Sequence, residues 1–96
     1  MAKRNVSSNS TDGGVLILTI PDPAEDTVCD ESIPCRSVVI QQQSGTQAYL
    51  NIGAAATEEG GWKLSATSAM PIAIDDVQKI HFFGTAGDVI QIMYRN

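Results

Sequence analysis

His81-Phe82-Phe83-Gly84-Thr85-Ala86-Gly87-Asp88-Val89-Ile90-Gln91-Ile92-Met93-Tyr94-Arg95 is the stretch that decides the fold. Two runs of aromatic and β-branched residues flank a turn-forming Gly-Thr-Ala-Gly-Asp segment, and neither run has a helical period. The spacing predicts a strand ending at Gly84, a turn over Thr85 to Asp88, and a second strand pairing with the first as a hairpin. Phe82, Ile90 and Ile92 would then face a core, because alternate residues of a strand share a face.

The same pattern repeats upstream. Asp75 can cap a single helical turn that ends at Ile80, and Met70, Ile72 and Ile74 alternate around Pro71, which places that strand at a sheet edge or bulge. Trp62, Leu64 and Ala66 alternate with Lys63 and Ser65. Ala54 to Thr57 is too short to nucleate a helix and runs into Glu58-Glu59 and Gly60-Gly61, so it is read as a loop. Cys35 to Gln43 and Ala48 to Ile52, either side of Ser44-Gly45, predict another hairpin, with Ala48, Leu50 and Ile52 on one face and Tyr49 and Asn51 on the other. Val15 to Ile20 is a strand stopped by Pro21-Asp22-Pro23, and the acidic segment Asp22 to Glu31 is expected to be a solvated loop.

Strand-like runs therefore recur about every 8 to 14 residues, which points to an all-β chain: a small antiparallel β-sandwich or barrel of about seven strands, jelly-roll-like. The expected core is Leu16, Leu18, Val38, Ile40, Leu50, Ile52, Leu64, Ile72, Ile74, Ile80, Phe82, Ile90 and Ile92. Residues 1–14 hold one branched apolar residue, Val6, and are expected to form a flexible N-terminal arm, which either orders on a neighbour or is a frayed end. Residues 15–96 form the single domain, since 96 residues suffice for one core.

Charged residues make up 18% of the chain, below the usual roughly 25%, so its surface is largely neutral. A net charge of −5 with six scattered cations argues against nucleic acid as a ligand. No apolar run approaches membrane-spanning length, and polar Asn5 to Gly14 stand where a cleaved signal would need an apolar segment, so neither membrane insertion nor export is expected. Cys29 and Cys35 are too few for a disulfide scaffold or a structural zinc site; they read as thiols in a reducing cytoplasm, with a bridge closing the short loop as the alternative.

No catalytic constellation is legible. His81, the one histidine, sits between Ile80 and Phe82 and reads as structural, with a pH-responsive or ligand role as the alternative. The pairs Asp30-Glu31, Glu58-Glu59 and Asp75-Asp76 lack the loop spacing of a calcium site, and neighbouring strand residues face opposite ways. Gly60-Gly61 and Gly84 to Gly87 lack the phosphate-loop pattern and are turns. Trp62 reads first as a roof over the core, and second as an exposed interface or sugar-stacking ring. The expectation is a non-enzyme with no cofactor, no catalytic residue and no metal.

Four segments carry a resemblance: Pro34-Cys35-Arg36-Ser37-Val38-Val39-Ile40-Gln41, Leu50-Asn51-Ile52-Gly53, Met70 to Ile80, and Gly84-Thr85-Ala86-Gly87-Asp88-Val89-Ile90-Gln91-Ile92-Met93-Tyr94. Together they resemble small proteins of tailed-bacteriophage structural gene clusters over about two thirds of the chain; Val15 to Pro34 falls outside. The resemblance implies a β-sandwich of the virion, made in the host cytoplasm, most simply a capsid decoration or cement protein contacting the major capsid protein or another virion protein. A homo-oligomer, a trimer first, would suit the three-fold sites of an icosahedral lattice. The expected contact residues are Lys3, Arg4 and Val6 of the arm, with Trp62 and Tyr49. The alternatives are a tail, baseplate or fibre component, or a carbohydrate-binding module using Trp62, Tyr49, Asn51 and Gln47.

Overall fold

In the computed structural model, residues 12–45, 47–64 and 69–96 are described in full and residues 5–10 as backbone. They lay down eight strands: β1 (Asn5–Ser10), β2 (Gly13–Thr19), β3 (Ser37–Ser44), β4 (Tyr49–Ile52), β5 (Trp62–Lys63), β6 (Met70–Ala73), β7 (Ile80–Phe83) and β8 (Val89–Arg95). Asp76, one residue after the expected Asp75, caps a 3₁₀ turn over Val77–Lys79 by accepting from the Gln78 amide.

Five strands form one antiparallel sheet in the order β1-β2-β8-β3-β6, and three form a second in the order β5-β4-β7. The all-β sandwich read from the sequence is the observed class. Alternation places Leu16, Leu18, Ile40, Ile90 and Ile92 of the first sheet against Leu50, Ile80 and Phe82 of the second, all buried. Val38 and Leu64 join them as expected, and Ile20, Cys29, Ile33, Ala48, Val77 and Tyr94, none on the expected list, complete the core. Cys29, Ile33 and Val77 are buried from a loop and the 3₁₀ turn, where no local period announces them, whereas Ile20, Ala48 and Tyr94 extend by one step the alternations of Leu16 and Leu18, of Leu50, and of Ile90 and Ile92.

Neither expected hairpin forms. Strand β3 lies between β8 and β6, whereas β4 belongs to the other sheet. The chain crosses over because Gly45 adopts φ +115° and the buried Gln42 side chain accepts the Ala48 amide at 2.9 Å. A Cβ at Gly45 would strike the Asp88 carboxylate, so glycine is required there. Strands β7 and β8 likewise belong to different sheets, and the turn between them is tied to the end of β2 by two backbone bonds, Ile20 N to Asp88 O and Gly87 N to Ile20 O, both 2.9 Å.

Two segments read from composition as arm and loop are backbone-paired to strands. Residues 5–10, assigned to the arm, form β1, registered on β2 from Asn5 opposite Leu18 to Ser10 opposite Gly13. Backbone pairing to an edge strand does not depend on apolar side chains, which is why composition missed it. The acidic segment after Pro23 is pinned: Thr27, buried, exchanges two 2.8 Å backbone bonds with Phe82 and so covers the outer edge of β7. Pro71 lies on β6, at the edge of the larger sheet, as its ring requires.

Candidate functional site

The two sheets part at the edge formed by β5 and β6. Trp62 stands opposite Leu50, while Met70 and Ile72 stand opposite Ile40 and Val38, so all of these side chains take the inner face of their sheets. Met70 and Ile72 are nevertheless only half-buried, Ile52 is 48% exposed and Trp62 67% exposed. They line a cleft of about 420 Å³ with Leu50, Asn51 and the Gly60-Gly61 backbone. Ile52 and Ile72 were expected in the core. Their phase is as expected, but no third layer covers them among the described residues.

Trp62 does not roof the core; most of its ring faces solvent. Gly61 fits tightly beside β4, since a Cβ there would lie 2.5 Å from Thr57 O and 2.8 Å from Tyr49 Cβ. Tyr49 pairs with Lys63 and Trp62 with Leu50, so the two rings occupy opposite faces of the smaller sheet and form no common platform. Glu58 and Glu59, both exposed, precede the two glycines at the rim. Of the other expected contact residues, Lys3 and Arg4 lie outside the described residues, and Val6 sits in β1 opposite Ile17.

The polar groups near the cleft are already engaged. The Gln47 amide donates to Ala48 O at 2.9 Å and Leu64 O at 2.8 Å, and the Asn51 side chain donates to Ala55 O at 3.2 Å while accepting from the Ile52 amide. What the cleft offers a partner is apolar area and one large ring.

His81 projects from β7 toward the pinned loop, its Nδ1 2.7 Å from Asp26 Oδ2; Asp26 Oδ1 accepts from the Ala56 amide at 2.9 Å. Asp26 thus joins two loops to a strand. No hydroxyl or thiol among the described residues hydrogen-bonds His81, so the pair lacks the nucleophile that an orienting dyad would serve.

Asp76 accepts from Ser32 Oγ, from the Ile33 amide at 3.0 Å and from the Gln78 amide at 2.9 Å. Partial burial pushes its carboxyl up, but these hydrogen bonds and the Lys79 charge outweigh it and hold the group below the ordinary range. Burial pushes the Cys29 and Cys35 thiols up, and both cysteines are free. Raised thiols are poor nucleophiles at neutral pH. Among the described residues no three His, Cys, Asp or Glu side chains are grouped to hold a metal ion.

The arrangement is that of a β-sandwich with an open apolar edge. The chain is similar in fold to a crystal structure of a protein from Neisseria meningitidis, with a TM-score of 0.60 at 7% identity over 97% of this chain and 83% of that one. It is likewise similar to a cupin domain from Bordetella pertussis, with a TM-score of 0.58 at 9% identity over 100% and 98% of the two chains. At these identities the likeness is one of fold. No family profile and no curated protein sequence matches the chain.

Proposed function

We propose that this chain is a non-enzymatic structural subunit, a decoration protein that binds the outer surface of a tailed-phage head through the cleft between β5 and β6. The observation that carries the reading is Trp62, 67% exposed beside inward-facing Ile52, Met70 and Ile72. An inner face left open is a binding surface, because exposed contiguous apolar area is costly to keep without a partner. A large, stiff ring at its centre is the side chain that most often dominates interface energies. The acidic rim at Glu58 and Glu59 suits a partner surface with basic residues.

The test is co-sedimentation of the full chain with undecorated heads. Stoichiometric pelleting that falls at least tenfold in affinity on Trp62→Ala supports the reading, since loss of a central interface Trp costs about 2 kcal/mol or more. Protein that stays in the supernatant at tens of micromolar overturns the head assignment, and the same assay on purified tails then tests the tail, baseplate or fibre alternative. The carbohydrate alternative is weakened by the engaged Asn51 and Gln47 amides and by the separation of Tyr49 from Trp62. Glycan-array binding abolished by Trp62→Ala would restore it.

A further inference from the structure

We propose that the outer face of the five-stranded sheet is a self-association surface on which two copies of this chain pack face to face about a two-fold axis. The register builds an apolar row straight across four strands: Val15 stands opposite Met93, Met93 opposite Val39, and Val39 opposite Pro71. The next row sets Ile17 against Gln91 and Gln91 against Gln41. Met93, at the centre, is 46% exposed, and a shallow depression of about 210 Å³ runs beside it, lined by Val15, Val39, Gln41, Ala69 and Gln91.

Charge selects the partner. None of the five strands carries an acidic residue, and Arg95 is their one charged residue, although the whole chain has 11 carboxylates and a net charge of −5. On an acidic molecule, a sheet face without carboxylates lets a second copy approach with little repulsion. Gln91, two residues from Met93 on the same face, has an amide that both donates and accepts and so can pair with its own copy; a cationic partner would find no carboxylate on these strands. Repulsion between the two Arg95 side chains favours the axis perpendicular to the strands, which sets each guanidinium at the far end of the interface, toward the partner's exposed Asp22.

Five strands about 4.8 Å apart and about seven residues long give a face of roughly 550 Å² per copy. The roughly 1,100 Å² total lies at the lower limit for a specific interface, so the dimer should form in the micromolar range. This contact lies on the face of the larger sheet opposite the one that β6 turns to the cleft, and it does not rest on the head assignment. A face-to-face pair is also two-fold, unlike the trimer expected from the sequence.

Sedimentation equilibrium of the full chain from about 1 to 500 μM tests it. The expected result is a concentration-dependent monomer–dimer equilibrium, weakened on the order of a hundredfold by Met93→Glu, which buries an unpaired carboxylate at the centre of the contact. Gln91→Glu, of the same shape, should weaken it in the same direction, and Trp62→Ala should leave it unchanged. Unaltered circular dichroism shows that each variant is folded. A chain that is monomeric throughout, or a dimer or trimer indifferent to Met93→Glu and Gln91→Glu, overturns the proposal.

Discussion

Gln42 shows how a single polar side chain directs the chain between layers. It occupies an inward position of β3, is buried, and spends its oxygen on the Ala48 amide just where the backbone leaves one sheet for the other. Gln42→Leu keeps the bulk but strands a buried N–H, so it should cost about 1–3 kcal/mol in urea unfolding with an unchanged slope. Nothing local marks Gln42 in the Gln41-Gln42-Gln43 run; only the alternation Val38, Ile40, Gln42 puts it on the inner face. Asp76 is a second such residue. Its carboxyl is depressed in the folded chain, so the stability it lends is present above the unfolded value near pH 4 and is lost as pH falls through the lower folded value. Asp76→Ala should therefore destabilise the protein by about 1–2 kcal/mol at pH 7, and the gap to the parent should narrow below pH 4 in denaturation curves.

At the scale of elements, strand positions and facing were legible, whereas strand partners were not. The phases of β2, β3, β7 and β8 follow from the spacing of Leu16 and Leu18, Val38 and Ile40, Phe82, and Ile90 and Ile92. Pairing is settled by turns: Gly45 and the Gly87-Asp88 corner carry the chain across the sandwich where a two-residue hairpin would have folded it back. The cleft was legible in part, through Trp62 as a contact ring, while Ile52 and Ile72 were placed in the core because they have the right phase and lack only a cover. Strand β1 was illegible because serine and asparagine carry no strand signal, and the backbone of β2 recruits them. Deleting residues 1–10 should leave a cooperatively unfolding protein, with faster hydrogen exchange at alternate amides of β2, whose outer edge the deletion uncovers.

For the whole molecule, the two proposed contacts lie on separate surfaces, one at the parted edge of the sandwich and one on the back of its larger sheet. They should behave independently: Met93→Glu should retain Trp62-dependent pelleting with heads, and Trp62→Ala should retain the dimer, with the two losses additive in the double variant. Pelleting by Met93→Glu at parental affinity, read beside its sedimentation profile, would establish that separation.

The distribution of ionised groups has a further consequence. The eight strands hold only Lys63 and Arg95, so every carboxylate sits in a loop or turn, and a body about 34 Å long carries its acidity away from its sheet faces. Such a particle behaves as a colloid held apart by its corners. At the isoelectric point near 4.5 the net charge that keeps molecules apart vanishes, and ordered stacking through the sheet faces should set in before any strand has unfolded.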